Sequence, residues 1–529
     1  MPESTWTPRH NRWLIAVSVT LATFMEVLDT SIANVSLPHI AGGLSASLNE
    51  ATWVLTCYLV SNAVILPASA YISSLMGRKR FYMTCVVLFG LSSLLCGFAP
   101  SLSLLLLFRV MQGIGGGGLA PSEQAILADT FPPNKRGQAF AVYGMAVVFA
   151  PAIGPTLGGW ITDNFNWRWI FFINIPVAIV SLILTSRLVD DPPHVQKEVR
   201  EARGGNFRLD YTGFALVALA FGCLEVVLDK GQDDDWFSSG LIRAFAILCA
   251  LGFIALISWE LREIRLLHRP ILNLRLFLNR TFAVSFGMMF ILGFALYATT
   301  VLIPQLLQTL MGYTAEAAGA ALSFGGLTTM VCMPIVGRLI GKVDPRYLIM
   351  FGFGTMGLAL IYMGGMNLLM SFQHAALMRV FQSLGLAFLF VPIQTMSYTD
   401  VPMNQNNDVS GLTNLARNIG GSCGTAFLVT MLARLSQRHQ SDLATHVAAG
   451  DPVFMAHFNG LHQALVHAGI QSSMATQQTY GRLYGQVLQQ ASMLAYIDIV
   501  KILAVAALAM IPFAFLMSKR KSAGPAAVH

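Results

Sequence analysis

Fourteen stretches of predominantly apolar residues recur along the chain and constrain its fold more than any other feature. A helix needs about 20 residues to cross about 30 Å of hydrocarbon. The stretches cover residues 13–35, 53–72, 81–99, 102–126, 138–161, 168–188, 211–229, 241–260, 281–303, 317–338, 347–367, 373–398, 410–434 and 494–517. Only 11% of the residues are charged, against about 25% in soluble domains. We therefore predict an all-α integral membrane protein.

Basic residues cluster in alternate segments between these spans. The segments after the second and fourth spans, for example, contain Arg78, Lys79 and Arg80 and then Lys135 and Arg136. Because cytoplasmic loops are enriched in Lys and Arg, both termini are expected in the cytoplasm. The net charge of +7 is thus a consequence of topology and does not indicate a nucleic-acid partner.

An internal repeat divides the spans into two groups. The sequence "LFRVMQGIG" at 107–115 recurs as "LMRVFQSLG" at 377–385, which aligns Arg109 with Arg379. Parallel repeats of about six helices are typical of one large transporter architecture, so we predict two six-helix bundles with two extra helices between them. The predicted segments are a cytoplasmic N-terminus at 1–12, an N-terminal bundle at 13–188, two inserted helices at 211–260, a C-terminal bundle at 281–517 with a periplasmic loop at 435–493, and a cytoplasmic tail at 518–529.

Three charged residues are expected at one depth inside the membrane. Glu26 and Asp29 lie three positions apart in the first span, and Arg109 lies in the fourth. A charge at the bilayer centre costs about 2.5–3.5 kcal/mol on insertion scales, so each is a functional candidate. We expect Arg109 to pair with one acid while the other takes up and releases a proton. The alternative is a static ion pair that only fixes helix packing.

Weaker intramembrane candidates are Gln112, Glu123, Glu225, Arg379 and Arg417. Gln112 shares a helix face with Arg109. Glu123 is expected near the inner end of its span, where it would face water or belong to the site. Glu225, on the first inserted helix, is expected either to contact cationic ligands or to serve packing or a local hydrogen bond. The two arginines of the second half are expected to position helices.

Small residues and prolines in the fifth span, "GMAVVFAPAIGPTLGGW" at 144–160, predict close packing and bending of that helix. Residues 420–424, "GGSCG", match a nucleophile motif that requires a strand-turn-helix elbow, but they lie in an apolar span. No catalytic residue is therefore expected. The chain also has no phosphate-binding loop or zinc-protease motif, so we expect no metal or other cofactor and a proton gradient as the energy source.

Several of these segments resemble the major facilitator superfamily and, within it, the fourteen-helix drug:proton antiporters of the EmrB/QacA-like family. The resemblance is carried by "LDTSIANVSLP" in the first span, "RVMQGIGGGG" in the fourth, "GPTLGG" in the fifth and "WRWIFFINIPV" at 167–177. It implies that Asp29 and Arg109 serve proton coupling. It also implies an antiport motif formed by Gly154, Pro155, Gly158 and Gly159.

The same resemblance implies an environment and partners. It places the chain in the inner membrane of a bacterium, surrounded by membrane lipid, with lipophilic small molecules as substrates. An EmrA-like periplasmic adaptor and a TolC-like outer-membrane channel are the implied protein partners. The polar segment 435–493 is expected to form a water-facing helical cap or to dock a periplasmic partner.

Two positions depart from the family pattern. In the loop between the second and third spans, Gly77, Arg78 and Lys79 keep the basic end, but Ser74 replaces the usual aspartate and Ala70 a glycine. A gate that relies on that aspartate would be absent. Glu26 is an additional acid in the first span, which would suit cationic substrates or a different proton stoichiometry.

We therefore predict a proton-coupled exporter of lipophilic toxic compounds that works by alternating access of its two bundles. One alternative is an exporter of a narrower metabolite class, such as fatty acids, siderophores or amino acids. A second alternative is a membrane scaffold or sensor that uses the same fold without transport.

Overall fold

The computed structural model describes residues 6–204, 210–266, 270–447 and 451–518. Across these ranges the chain forms helices and turns and no strand. Fourteen helical segments are long and apolar enough to cross a membrane, which confirms the predicted all-α membrane fold. The first five residues of the predicted N-terminal segment and all of the predicted tail except Ser518 lie outside the described residues.

The helices are numbered in chain order. The first bundle and the helix that follows it comprise α1 (Arg12–Gly43), α2 (Leu48–Met76), α3 (Arg78–Phe98), α4 (Leu102–Gly116), α5 (Leu119–Thr130), α6 (Arg136–Asn164), α7 (Trp169–Phe172), α8 (Asn174–Leu188) and α9 (Pro193–Gly204). The inserted pair is α10 (Tyr211–Lys230) and α11 (Gly240–Arg265). The second bundle comprises α12 (Arg280–Thr309), α13 (Ala315–Leu339), α14 (Pro345–Met363), α15 (Phe372–Ser397), α16 (Asn406–Ala444), α17 (Pro452–His467) and α18 (Ser472–Ala509).

The fourth predicted span is broken into α4 and α5. The break falls in a run of four glycines at 115–118, and each glycine costs about 1 kcal/mol relative to alanine within a helix. A Cβ at Gly117 would lie 2.7 Å from the carbonyl oxygen of Asn62. The run therefore weakens the helix and at the same time allows close contact with α2.

Two helices of the second bundle are much longer than a membrane span. α16 has 39 residues and α18 has 38, which at about 1.5 Å per residue is nearly twice the thickness of a bilayer core. The predicted loop at 435–493 is therefore mostly helical and comprises the end of α16, α17 and the start of α18. We call these helical segments the cap, their end of the molecule the cap side, and the end where α1 begins the terminal side.

The inserted pair lies against the first bundle. α10 packs on both α11 and α2. Near the cap side, Asp229 accepts a hydrogen bond from Thr56 of α2, and Lys230 donates to Thr52. Near the terminal side, the backbone N–H of Asp210 donates to Tyr71 Oη of α2 over 3.1 Å. These contacts at both ends attach α10 to α2.

Two glycines allow α16 to approach α12 at backbone distance. A Cβ at Gly420 would lie 2.1 Å from the carbonyl oxygen of Phe290, and a Cβ at Gly424 would lie 2.3 Å from that of Phe294. Both glycines belong to the "GGSCG" sequence, which lies inside α16 and not at a strand-to-helix elbow. In this fold the motif serves helix packing.

We predict that Gly424→Ala destabilises the protein, because its methyl group would meet backbone atoms that cannot rotate away. Overpacking of this kind costs about 1–3 kcal/mol. The measurement is the thermal unfolding midpoint of the purified protein in detergent. Gly287→Ala on α12 is the matched control, since a Cβ there would have no atom within 4 Å. Equal midpoints for the two variants would contradict the prediction.

Candidate functional site

Asp29 lies at the centre of a hydrogen-bonded network inside the first bundle. Arg109 Nη1 donates to Asp29 Oδ2 over 2.6 Å, and Gln112 Nε2 donates to Oδ1 over 3.1 Å. Asn174 Nδ2, from the start of α8, also donates to Oδ1 over 2.6 Å. Asp29 is 2% exposed and Arg109 0%. The carboxylate therefore accepts hydrogen bonds from three side chains on two other helices and is almost completely removed from solvent.

Arg109 is fixed by partners other than Asp29. Its Nε donates to the carbonyl oxygen of Val54 in α2 over 3.0 Å, and its Nη1 also donates to Gln112 Oε1 over 2.8 Å. The guanidinium carbon lies 4.6 Å from the ring centroid of Tyr58 and 5.6 Å from that of Phe171. Such cation–π contacts stabilise a buried cation on the side where it has no hydrogen-bond acceptor.

Glu26 has different surroundings, although it shares a helix face with Asp29. Its Oε1 accepts from Asn62 Nδ2 over 3.0 Å and from Tyr58 Oη over 3.4 Å. Its Oε2 has no hydrogen-bond partner among the described residues, and the side chain is half-buried. Of the two acids, the structure thus brings Asp29 to Arg109 and leaves Glu26 with neutral partners.

The glycines of the predicted antiport motif pack α6 against α1. A Cβ at Gly154 would lie 2.3 Å from Ser31 Oγ, and a Cβ at Gly158 would lie 3.0 Å from the side chain of Ile32. A Cβ at Gly159 would have no atom within 4 Å. Two of the three glycines therefore contact α1 immediately after Asp29, and the third has no packing role in this conformation.

The opposite face of α6 contacts the second bundle. A Cβ at Gly319 of α13 would lie 2.5 Å from Thr156 Oγ1 and 3.5 Å from Pro155 Cβ. Farther along the same pair of helices, Ser323 Oγ donates to the carbonyl oxygen of Ala152 over 3.2 Å. The helix that packs on α1 beside Asp29 is therefore also the helix that contacts the other bundle.

The second bundle repeats the arginine network without its acid. Arg379 Nη1 donates to Gln382 Oε1 over 2.7 Å, and Gln382 Nε2 donates to Thr299 Oγ1 over 2.6 Å. Thr299 occupies the position that aligns with Asp29 in the register that relates the two arginines. Arg379 is 3% exposed, and its Nε has no partner among the described residues. Its charge thus has only neutral hydrogen-bond partners.

A buried network of five polar side chains joins the two bundles on the terminal side. Arg417 Nη1 donates to Tyr143 Oη over 2.6 Å, and Tyr143 Oη donates to Asn414 Oδ1 over 3.0 Å. Gln124 Nε2 donates to the same Asn414 oxygen over 3.2 Å, and Gln394 Nε2 donates to Gln124 Oε1 over 2.6 Å. We call this set the inter-bundle network. It places Arg417 at the contact between the bundles.

The expectation that Glu123 faces water is wrong. Glu123 is 0% exposed and accepts a hydrogen bond from Thr20 Oγ1 of α1 over 2.6 Å. The physical reason is the packing of α5, which contacts α1, α3 and α16 and so has neighbours around most of its surface.

The loop between α2 and α3 is held by carboxylates, although its usual aspartate is missing. Ser74 donates to a carbonyl of its own helix. The backbone N–H of Lys79 instead donates to Asp191 Oδ1 over 2.9 Å, and the guanidinium of Arg78 contacts Asp129. The acids that contact this loop thus come from the end of α5 and from the segment between α8 and α9.

Asp129 also connects the bundles, since its Oδ1 accepts from Asn406 Nδ2 of α16 over 2.8 Å. Gly77 ends α2 at a φ of +88°, a conformation that favours glycine. The basic end of the loop therefore sits beside a contact between the two bundles.

Glu225 lies on α10, on the side facing the second bundle. Ser422 Oγ of α16 donates to Glu225 Oε1 over 2.7 Å, and Glu225 is 5% exposed. The hydrogen bond of Glu225 is therefore not local to α10, since its partner lies on α16 of the second bundle.

Sequence reasoning missed the uncharged members of these sites. Asn62, Asn174 and Tyr143 contact the charged residues directly. Asn414 contacts Tyr143 and Gln124, and a search for intramembrane charges passes over all four. The signal available in the sequence was a polar amide within an apolar run, as in "FINIPV" and "LVSNAVI". Buried amides of this kind require hydrogen-bond partners, and here those partners are the functional candidates.

Comparison with known proteins gives consistent matches over most of the chain. The Major Facilitator Superfamily profile matches residues 19–425. The multidrug export protein EmrB of Haemophilus influenzae is 35% identical over 479 residues, 90% of each chain. The fatty acid resistance protein FarB of Neisseria gonorrhoeae is 34% identical over 477 residues, again 90% of each chain. The crystal structure of the human organic anion transporter MFSD10 matches at a TM-score of 0.56 and 13% identity, covering 94% of this chain and 100% of that one.

We predict that Thr299→Asp stabilises the protein, because it supplies a carboxylate to a buried arginine whose present partners are neutral. A hydrogen bond to a charged group contributes about 1.5–3 kcal/mol. The measurement is again the thermal midpoint in detergent. Thr299→Asn is the matched uncharged control and should give no gain. A lower midpoint for Thr299→Asp than for Thr299→Asn would show that Arg379 needs no counter-charge.

Proposed function

Because the chain belongs to the major facilitator superfamily, we propose that it is a proton-coupled exporter of lipophilic toxic compounds. In this proposal the two six-helix bundles give access to the two sides of the membrane in turn. The similarity to multidrug export proteins over 90% of the chain supports the substrate class. The energy source would be the proton gradient, since one charge crossing 100 mV releases about 2.3 kcal/mol.

The observation that carries the proposal is the position of Asp29. It is a carboxylate buried among neutral and cationic donors in α1, and α1 packs on α6, which also contacts the second bundle. In this proposal the proton is carried by Asp29, the acid that pairs with Arg109, and not by the unpaired acid Glu26. Protonation of Asp29 would remove its ion pair with Arg109 and change the packing between α1 and α6. A change at that contact would reach α13, so proton binding and bundle movement would be coupled.

The proposed orientation places the terminal side in the cytoplasm and the cap in the periplasm of a bacterial cell. The support is the concentration of Lys and Arg at the terminal ends of the spans, as at Arg78, Lys79, Lys135 and Arg136. In that orientation the cap faces the compartment where an EmrA-like adaptor would connect the exporter to a TolC-like outer-membrane channel. The cap is thus the proposed docking surface.

A second candidate function is export of an anionic metabolite such as a fatty acid. Two observations favour it. FarB, a fatty acid resistance protein, is 34% identical to this chain, and Arg379 is a buried cation without a carboxylate among its hydrogen-bond partners. A narrow exporter would transport such acids and would fail with unrelated lipophilic compounds.

We predict that Asp29→Asn abolishes proton-coupled transport while the protein still inserts into the membrane. The amide keeps the shape of the side chain but cannot exchange a proton. The measurement is proton release, followed with a lumenal pH dye, from inverted vesicles with an acidic interior after addition of several unrelated lipophilic compounds. The signal should fall more than about tenfold, which corresponds to more than 1.4 kcal/mol.

Asp498→Asn is the control for that experiment. Asp498 lies in α18, contacts His439 and Lys501, and is 38% exposed, so its neutralisation should leave the signal within about twofold of wild type. Full proton release by Asp29→Asn would reject the proton role. Release evoked only by fatty acids in the wild type would favour the second candidate, and silence with every compound would favour a scaffold or sensor.

We also predict that the cap is required for export across the envelope but not for transport across one membrane. Replacing the segment between Thr445 and Gln471 by a short flexible linker removes α17 and leaves the membrane-spanning parts of α16 and α18. Transport by the purified variant in proteoliposomes should stay within about twofold of wild type, since no charged residue of the site is changed. Co-purification with the cognate adaptor and drug resistance of cells should both be lost. Retained resistance with retained adaptor binding would show that the adaptor docks elsewhere.

A further inference from the structure

Helix α10 lies at the boundary between the two bundles and is attached unequally to them. It is attached to α2 at both ends, through Asp229 and Lys230 near the cap side and Asp210 near the terminal side. Its side-chain hydrogen bond to the second bundle is the bond between Glu225 and Ser422 of α16. If the bundles move relative to each other, α10 is expected to remain with the first bundle, and the Glu225 contact is the one expected to break.

Glu225 and Glu26 approach the same face of α16. Glu225 contacts Ser422 directly. Glu26 reaches the helix through Asn62, whose Oδ1 accepts from Asn418 Nδ2 over 3.5 Å. Positions 418 and 422 are four apart, so they lie on one face about 6 Å apart along the helix axis. Glu225 of α10 and Glu26 of α1 thus both approach the face of α16 that carries Asn418 and Ser422.

Neither carboxylate has a cation as a direct partner, although Arg417 lies near enough to Glu26 to attract it electrostatically. No ion pair to Glu225 or Glu26 is formed among the described residues, and Glu26 Oε2 has no hydrogen-bond partner there. Asp29, in contrast, is neutralised by Arg109. An acid that is retained inside the membrane without a counter-ion is costly, and a cation supplied from outside would offset that cost.

Aromatic rings complete the chemistry expected for a lipophilic cation. Tyr297 of α12 packs against Gly421, next to Ser422, so closely that a Cβ at Gly421 would lie 2.7 Å from the ring. Tyr58 lies beside Glu26 and donates to it. Carboxylates beside aromatic faces recognise quaternary and other organic cations through charge and cation–π attraction.

We propose that Glu225 of the inserted helix α10, together with Glu26, binds cationic lipophilic substrates at the contact with α16. This deepens the proposed export function, on which it rests, by assigning the inserted pair a part in substrate recognition. Binding of a cation between Glu225 and the α16 face would compete with the Ser422 hydrogen bond. The site is therefore expected to open when α16 moves away from α10.

The test compares transport of a lipophilic dication, a lipophilic monocation and a neutral lipophilic compound by purified protein in proteoliposomes with a proton gradient. For Glu225→Gln we expect about tenfold slower transport of the dication, a smaller loss for the monocation and a change below about twofold for the neutral compound. Glu225→Asp should recover part of the dication transport. Glu260→Gln, which changes the buried acid of α11 whose partner is the backbone N–H of Leu272, is the matched control and should leave all three rates within about twofold.

Ser422→Ala separates substrate binding from packing. It removes the hydrogen bond to Glu225 but keeps the carboxylate, so dication transport should be retained. Equal losses for all three compounds in Glu225→Gln, or the same losses in Ser422→Ala, would assign Glu225 a packing role and overturn the proposal. Unchanged dication transport by Glu225→Gln would also overturn it.

A direct binding measurement distinguishes failure of this inference from failure of the proposed function. If the wild type transports none of the three compounds, export itself is wrong for this panel. Binding of the dication to the detergent-purified protein still tests the site, because the wild type should bind it and Glu225→Gln should bind about tenfold more weakly. Equal affinity in the two proteins would overturn the inference whatever the transport result.

Discussion

The buried ion pair between Asp29 and Arg109 is the interaction on which the first bundle depends. Removing two charges from water costs several kcal/mol per ion, and the cost is offset only when the geometry is good and the remaining hydrogen-bond sites are filled. Here the partners come from four helices: α1 supplies Asp29, α4 supplies Arg109 and Gln112, α8 supplies Asn174, and α2 supplies a carbonyl oxygen. The pair therefore fixes the relative positions of these helices. A change in the charge of Asp29 would weaken these hydrogen bonds and so alter the packing of the helices.

Helix α6 connects the packing around Asp29 to the second bundle, because it contacts both α1 and α13. On one face, Gly154 and Gly158 allow α6 to contact α1 just after Asp29, and on another face α6 runs along α13. The inter-bundle network and the Asp129–Asn406 hydrogen bond hold the bundles together on the terminal side. These contacts are polar and buried, so separating them requires that water or new partners replace the lost hydrogen bonds. In the proposed transport cycle, opening of the terminal side would therefore require the exchange of these hydrogen bonds.

The number of spans and the charged candidates within them could be predicted from the sequence because both depend on composition and local spacing. A pairing of Arg109 with one acid of α1 was predicted from their common depth, but that depth did not distinguish Asp29 from Glu26. The positions of Asn174 and Asn62 could not be predicted, since an amide in an apolar run indicates that a partner exists without saying which. The carboxylates at the α2–α3 loop were missed for a related reason. Asp129 and Asp191 are distant from that loop in sequence, and only the tertiary fold brings them to Arg78 and Lys79.

The difference between the two halves of the repeat places the proposed protonation site in the first bundle alone. Arg109 and Arg379 are held by equivalent glutamines, but Asp29 has a threonine as its counterpart. A ligand shifts a conformational equilibrium only if its free energy of binding differs between the states. Because α1 contributes the protonatable member and packs on the helix that contacts α13, protonation would act on one bundle and on its contact with the other. A second acid at Thr299 would compensate Arg379 and place a protonatable group at the same position in both halves of the repeat, so the difference between the halves would be lost.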